Sequence, residues 1–281
     1  MRDIHVAKIS ELMAVMVQTS CTELPPDVYQ SLAQFMQNEP SPMAKNILGA
    51  LQENAAIACQ EKIPICQDCG LAFIFLEVGQ DVHFTGGSLE EAINKGVAKG
   101  YTDGYLRKSV VSDPLFGRVN TKDNTPAIIH TRIVPGERVK ILLATKGFGA
   151  ENKSVVKMLV PADGVEGVKK VVLDAVKAAG PDGCPPFLVG IGIGGSLETS
   201  ALCAKRAAIR SIDSQNPDPR YAALEEELLT LVNKTGVGPQ GLGGKTTALK
   251  VNIEWAPTHI GAMPVAVNLN CHAIRHVEME L

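Results

Sequence analysis

The run Ile63-Pro64-Ile65-Cys66-Gln67-Asp68-Cys69-Gly70-Leu71-Ala72-Phe73-Ile74-Phe75-Leu76-Glu77-Val78 is where the chain changes its hydrophobic period. Upstream, apolar residues recur at helical spacing. Downstream, Ala72 to Val78 is a short run rich in β-formers. Between them lies a loop with Pro64 before its first cysteine and carbonyl-bearing polar side chains just after it. The switch predicts an α+β fold: a helical N-terminal portion over residues 1–62, then a mixed or antiparallel sheet with packed helices over 63–281, read together as a single domain spanning 1–281.

Upstream, Ile9, Leu12, Met13 and Met16, then Val28, Leu32, Phe35 and Met36, then Met43, Ile47, Leu48 and Leu51 mark three helices. Pro25-Pro26 and Ser41-Pro42 punctuate them, with Ser41 as an N-cap and Pro42 in the first turn. Downstream, Ser88-Leu89-Glu90-Glu91 supplies a capping box for a helix reaching about Arg107. Ile128 to Val134 and Arg138 to Ala144 flank Pro135-Gly136-Glu137 and read as adjacent antiparallel strands of a hairpin. The second half alternates: helix Val165 to Ala179, strand Phe187 to Ile193, helices Leu197 to Ile212 and Tyr221 to Asn233, strands Thr247 to Trp255 and Met263 to Leu269.

Of the 281 residues, 45% are hydrophobic and 20% charged, which fits a soluble globular chain. A formal charge of −3 without a block of Lys or Arg gives no footprint for nucleic acid. No apolar run is long enough for a signal segment or a membrane span, so the expected location is cytoplasmic. Seven cysteines, an odd count spread over a long chain, argue against a disulfide framework; Cys21, Cys59 and Cys203 fall on helical faces and read as core.

Two glycine motifs invite a nucleotide reading. Gly190-Ile191-Gly192-Ile193-Gly194-Gly195 matches G-x-G-x-x-G between a strand and a helix, with Asp213 further on, but no second βαβ half follows. A tight strand-to-helix turn is the plainer account. Gly243-Gly244-Lys245-Thr246 resembles the end of a P-loop, yet Pro239 stands where that motif needs glycine. Gly236 to Gly244 is expected to form a loop whose amides, with Lys245, could still face an anion.

The chemistry gathers at three loop cysteines: Cys66, Cys184 in Gly183-Cys184-Pro185-Pro186, and Cys271 in Asn268-Leu269-Asn270-Cys271-His272. By spacing alone, Cys66 and Cys69 are equally half of a zinc site or a redox pair. Five motifs in order then resemble the class I fumarate hydratases: Ile63-Pro64-Ile65-Cys66-Gln67-Asp68, Gly147-Phe148-Gly149-Ala150-Glu151-Asn152-Lys153-Ser154, Gly183-Cys184-Pro185-Pro186, Thr258-His259-Ile260-Gly261 and Arg275-His276. The resemblance covers essentially the whole chain and extends to the alpha subunits of L-tartrate dehydratases.

It implies a [4Fe-4S] cluster held by Cys66, Cys184 and Cys271, with one iron lacking a protein ligand and open to a substrate hydroxyl. It implies a small dicarboxylate substrate and reversible hydration of fumarate to L-malate. Asp68 matches an active-site carboxylate and is the candidate base for the C3 proton. His259 is carried over as a catalytic polar residue, and Gln67, Arg107 and the amide of Gly149 as substrate contacts. The family commonly has threonine at Cys69, which is read as a small packing residue.

Single-chain members continue into a smaller second domain, whereas this chain stops at Leu281. A separate beta subunit completing the active site is therefore expected, in an α2β2 assembly. L-tartrate and mesaconate remain open as alternative substrates. The readings from other classes are a dinucleotide-dependent oxidoreductase using Gly190 to Gly195 and a non-catalytic iron-sulfur module.

Overall fold

Prolines cut the first sixty residues into the three expected helices. α1 (Val6–Thr22) stops ahead of Pro25-Pro26, α2 (Pro26–Asn38) starts on the second of these, and α3 (Pro42–Glu61) starts on Pro42. Ser41 Oγ accepts the Ala44 N–H at 3.3 Å, satisfying a donor that the first turn leaves open. The helical period gives no sign of β1 (Arg2–His5), which pairs in parallel with β3 (Val82–Thr85).

The computed structural model describes residues 1–281, and the fold is α+β. The chain divides into two compact units, the first made of Met1–Pro25, Ala55–Gly147 and Arg275–Leu281 and the second of Pro26–Asn54 and Phe148–Ile274. The helical stretch 1–62 is thus shared between them, with one boundary between Pro25 and Pro26 and a second inside α3. No helix is long and apolar enough to cross a membrane.

The first unit is built on β2 (Leu71–Gly79), an inner strand with most of its residues buried, in a sheet of order β10-β5-β2-β4. Its neighbours are β4 (Ile128–Val134) and β5 (Val139–Lys146), with β10 (His276–Glu280) at the edge beyond β5. α1 and α4 (Leu89–Asp103) contribute Ile9, Met13, Met16, Ile93, Val97 and Tyr101 to a core shared with Ile74, Leu76, Ile141 and Leu143. Ser88 caps α4, its Oγ accepting the Glu91 N–H. The helix ends at Asp103, before Gly104 and a left-handed Tyr105 (φ 51°), so Arg107 stands on a loop and not in the helix.

The expected hairpin is corrected. β4 and β5 are not hydrogen-bonded to each other: β2 lies between them, parallel to β4 and antiparallel to β5. The Pro135-Gly136-Glu137 connection therefore spans two strand spacings, about 10 Å, across the end of β2. There Gly79 N–H donates to Arg138 O at 2.8 Å and Gln80 N–H to Val134 O at 2.7 Å. A Cβ on Gly79 would fall 2.3 Å from Gly136 O, so glycine is what lets the connection cross. Turn chemistry reports a reversal of direction; it does not report which strand fills the gap.

The second unit carries a sheet of order β6-β9-β7-β8, formed by β6 (Val155–Leu159), β9 (Met263–Asn270), β7 (Phe187–Gly194) and β8 (Ala248–Ala256). The short α5 (Phe148–Glu151) precedes β6, and α6 (Gly164–Ala179), α7 (Leu197–Ala207) and α8 (Pro219–Asn233) pack around the sheet. α7 is shorter than the Leu197 to Ile212 span expected for it. The G-x-G-x-x-G glycines have a packing purpose: a Cβ on Gly190 would sit 2.1 Å from Ala204 O and one on Gly192 1.9 Å from Ser200 O, so α7 lies directly on β7.

The amides after Gly244 do face an anion, and it belongs to the chain. Glu39, 1% exposed, accepts the N–H of Lys245 and Thr246 at 2.8–3.0 Å, the Thr246 hydroxyl at 2.7 Å and the Ser41 N–H at 3.2 Å. Burial pushes this carboxyl up, but the bonds from Lys245, Thr246 and Ser41 outweigh it and hold the group below its ordinary value of 4.5.

Candidate active site

The first unit carries Cys66, Gln67, Asp68 and Arg107, and the second carries Gly149, Cys184, His259 and Cys271. All four marked residues of the first unit lie in or beside the turn that links α3 to β2. Buried Ile65 roots this turn by donating its N–H to Cys21 O at 2.9 Å. Cys66 Sγ then lies 3.3 Å from Gln67 Oε1 and accepts the Asp68 N–H at 3.4 Å.

Asp68 divides its carboxylate. Oδ1 accepts the Gly70 N–H at 2.9 Å, an aspartate turn of ordinary kind. Oδ2 lies towards Gly147, 3.1 Å from where a Cβ on that residue would stand, with Arg275 Nη2 3.3 Å from the same point. The Asp68 carbonyl accepts from Arg275 Nη1 at 2.8 Å. Arg275 is 2% exposed, so a guanidinium sits in the interior of this unit directly behind the loop.

The next two carbonyls are held in the same manner. Tyr101 OH donates to Cys69 O at 2.8 Å, with Gly70 O at 3.1 Å, and Asn124 Nδ2 donates to Gly70 O at 3.0 Å. Burial pushes the Tyr101 phenol well up and keeps it a proton donor. Asn124 is fully buried, and its Oδ1 accepts the N–H groups of Ser109 and Val110, which fixes the loop after Arg107.

Cys69 packs as expected, 1% exposed, but its thiol is also a polar hub. It lies 3.7 Å from Cys66 O and accepts the Arg107 N–H at 3.3 Å, while the thiol of buried Cys21 donates to Cys69 O at 3.8 Å. The interaction with Cys21 lowers the Cys69 thiol, burial opposes that lowering, and the Arg107 N–H reinforces it; the same interaction and burial push the Cys21 thiol up. Arg107 and Gln67 themselves are exposed.

In the second unit, Gly149 lies exposed in α5, whose Glu151 is anchored by Lys205 and by Asn268 Nδ2 at 2.9 Å. Cys184 caps the turn Gly180–Gly183 in a left-handed conformation (φ 56°), its N–H donating to Pro181 O at 3.0 Å. Cys271 follows β9, and the next residue, His272, donates its N–H to Cys184 O at 3.1 Å. The loops of Cys184 and Cys271 are therefore in direct contact. His259 stands on an exposed loop after β8, with Nδ1 accepting the Gly261 N–H at 3.1 Å, which leaves the proton of the neutral ring on Nε2.

None of the seven cysteines is in a disulfide, and Cys66, Cys184 and Cys271 are all partly buried. Cys59, expected in the core, is exposed on α3. Neither unit by itself groups three Cys, His, Asp or Glu side chains as a ready metal site. Clefts of about 470 Å³ beside His5 and Lys99 in the first unit and 480 Å³ between β6 and α6 in the second contain none of the marked residues.

Residue reasoning passed over Tyr101, Asn124 and Glu39, which bear no chemical motif, and it met Arg275 only as part of Arg275-His276. The sequence pattern of the Fumarate hydratase (Fumerase) family matches residues 10–280. A Methanocaldococcus jannaschii protein named provisionally as an L(+)-tartrate dehydratase subunit alpha is 38% identical over 95% of each chain. The L(+)-tartrate dehydratase subunit alpha of Escherichia coli strain UTI89 is 34% identical over 96% of this chain and 89% of its own, and the namesake in strain K12 aligns equally well.

Proposed function

Because the chain belongs to the fumarate hydratase (fumerase) family, we propose that it is the cysteine-bearing alpha subunit of a cytoplasmic hydro-lyase interconverting fumarate and L-malate. The observation that carries this reading is the family match over residues 10–280, which spans every marked residue. A separate beta subunit, in an α2β2 assembly, completes the site; the relatives' names as alpha subunits support a partner. The same names favour a second reading, dehydration of L-tartrate, by the same class of chemistry.

The donor set suits an iron–sulfur cluster: three loop thiols, none in a disulfide, of the type that holds such clusters. Cys66, Cys184 and Cys271 would hold a [4Fe-4S] cluster, and its iron without a protein ligand supplies, when bound, a Lewis acid for the substrate hydroxyl.

The chain's other residues handle protons and carboxylates. In the dehydration direction the C3 proton passes to Asp68, the C2–O bond breaks with its electron pair on the hydroxyl, and that oxygen takes a proton from solvent and leaves as water. The Asp68 carboxylate is the group for the C3 proton, with its Oδ1 also accepting the Gly70 N–H. His259 presents its Nε2–H as a hydrogen-bond donor to the leaving oxygen, because Nδ1 already accepts the Gly261 N–H. Arg107 supplies charge-assisted bonds to one substrate carboxylate, with the Gln67 amide and the Gly149 N–H as neutral donors. The exposure of all four suits groups that wait for a ligand.

Anaerobic co-expression with the beta subunit, followed by turnover assays on fumarate, L-malate, L-tartrate and mesaconate, tests this reading. Hydration of fumarate is the expected result. Exclusive turnover of tartrate or mesaconate would change the substrate and keep the class. A fully loaded complex inert towards all four would overturn the class itself.

A further inference from the structure

The two cysteine loops of the second unit are tied together by a residue to which the chemistry above gives no role. Gln240 donates its backbone N–H to Pro185 O at 2.8 Å and its side-chain Nε2 to the same carbonyl at 2.7 Å. Nε2 also lies 3.0 Å from His272 Nδ1, and Nδ1 lies 3.2 Å from Cys184 O. One partly buried amide thus joins the residue after Cys184 to the residue after Cys271.

The donor inventory fixes the direction of these bonds. Turning the Gln240 amide over would set two carbonyl oxygens against each other at Pro185, so its NH2 faces Pro185 O. Its second hydrogen then points at His272 Nδ1, which is the acceptor. With Nδ1 as that acceptor, the ring proton sits on Nε2, and Nδ1 meets Cys184 O at 3.2 Å as a contact and not as a donor. His272 contributes a backbone N–H to Cys184 O and a ring acceptor to Gln240, and the two cysteine segments are cross-braced at adjacent residues.

The brace is itself anchored. Gln240 sits in the left-handed region (φ 54°, ψ 18°), a cost that a non-glycine residue bears when its surroundings over-determine it. A Cβ on the next residue, Gly241, would come within 2.4 Å of Pro181 Cβ, so this turn rests directly on the turn that carries Cys184. A few residues further on, Lys245 and Thr246 are pinned by the Glu39 carboxylate.

We propose that Gln240 is a positioning residue for the Cys184 and Cys271 thiols, holding the segments that bear them at one fixed spacing before any metal arrives. This assigns a task to the glycine-rich loop that its resemblance to a P-loop left open. The bracing stands on the hydrogen bonds alone; its consequence for iron rests on the cluster reading above.

Gln240→Gly is the informative variant, because glycine adopts φ 54° without strain while the amide is lost. In the reduced, metal-free full chain, iodoacetamide alkylation of Cys184 and Cys271, read by peptide mass spectrometry, is expected to quicken by about tenfold, the effect of losing roughly 1.4 kcal/mol of bracing. Exposed Cys59 serves as the internal reference and keeps its rate. Equal rates at Cys184 and Cys271 in both proteins would overturn the proposal, as would nitrogen NMR showing His272 protonated at Nδ1 in the wild type. In a second arm, anaerobic loading with iron and sulfide should be slower and less complete in the variant. Wild-type protein that takes up no iron, while the alkylation difference persists, would count against the cluster reading and leave the bracing upheld.

Discussion

The loop that carries Cys66 and the pair of loops that carry Cys184 and Cys271 are held by opposite means. Behind Cys66, three successive carbonyls, those of Asp68, Cys69 and Gly70, accept from Arg275, Tyr101 and Asn124, side chains that are all buried. Behind Cys184 and Cys271 the bonds are mostly between main chains, completed by one half-exposed amide and one imidazole. A buried donor leaves an unsatisfied carbonyl when it is lost, whereas water can replace a partner near the surface. The first loop is therefore held by contacts that are costly to lose, and the second pair by contacts that cost less to lose.

The largest expected effect breaks the comparison on the chemical side. Asp68→Asn should keep the iron content and the substrate KM and lose about 10²–10⁴ in turnover in both directions, with deuterium at C3 of malate reporting on the proton step. Turnover near wild type with an intact cluster would leave Asp68 Oδ1 as a loop-former only and move the base elsewhere.

Next in size, Arg275→Leu should lower the stability of the metal-free chain by about 3 kcal/mol, since a charge-assisted bond disappears and Asp68 O is stranded. Urea denaturation gives the number, and a loss under 1 kcal/mol would place the first loop in the same class as the second pair.

Glu39→Gln probes the support of the second pair, with an expected loss of about 2 kcal/mol at pH 7. The folded carboxyl titrates below 4.5, so its contribution is fully present above that value and is lost as pH falls through the lowered folded value. The gap between wild type and variant should therefore narrow on acidification below pH 4.5, and urea midpoints measured at pH 7 and pH 4 check the sign. The smallest effect, about 1 kcal/mol, is expected for Tyr101→Phe: Gly70 O keeps Asn124, and only Cys69 O loses its main donor.

Local chemistry was legible wherever a residue acts on its own neighbours. Pro26 and Pro42 start helices as read, Ser41 caps α3 and Ser88 caps α4. The edge strands β6 and β10 were not foreseen because their exposed positions, such as Lys157 and Glu278, dilute any period-2 apolar signal. The pairing of β4 with β5 was misread because β2, about fifty residues upstream, takes the place between them. At the candidate site the residue types were visible and their supports were not. Glu39 meets Lys245 across 206 positions and Arg275 meets Asp68 across 207, and no window of sequence spans such partners.

That last separation sets an order of events during synthesis. At about 5–20 residues per second, the ribosome adds Arg275 roughly 10–40 s after Asp68. β10, which closes the edge of the first sheet against β5, emerges later still. The first unit, which holds Cys66, thus gains Arg275 only after the continuous stretch Phe148–Ile274 of the second has been made, and the loop behind Cys66 waits that long for its guanidinium.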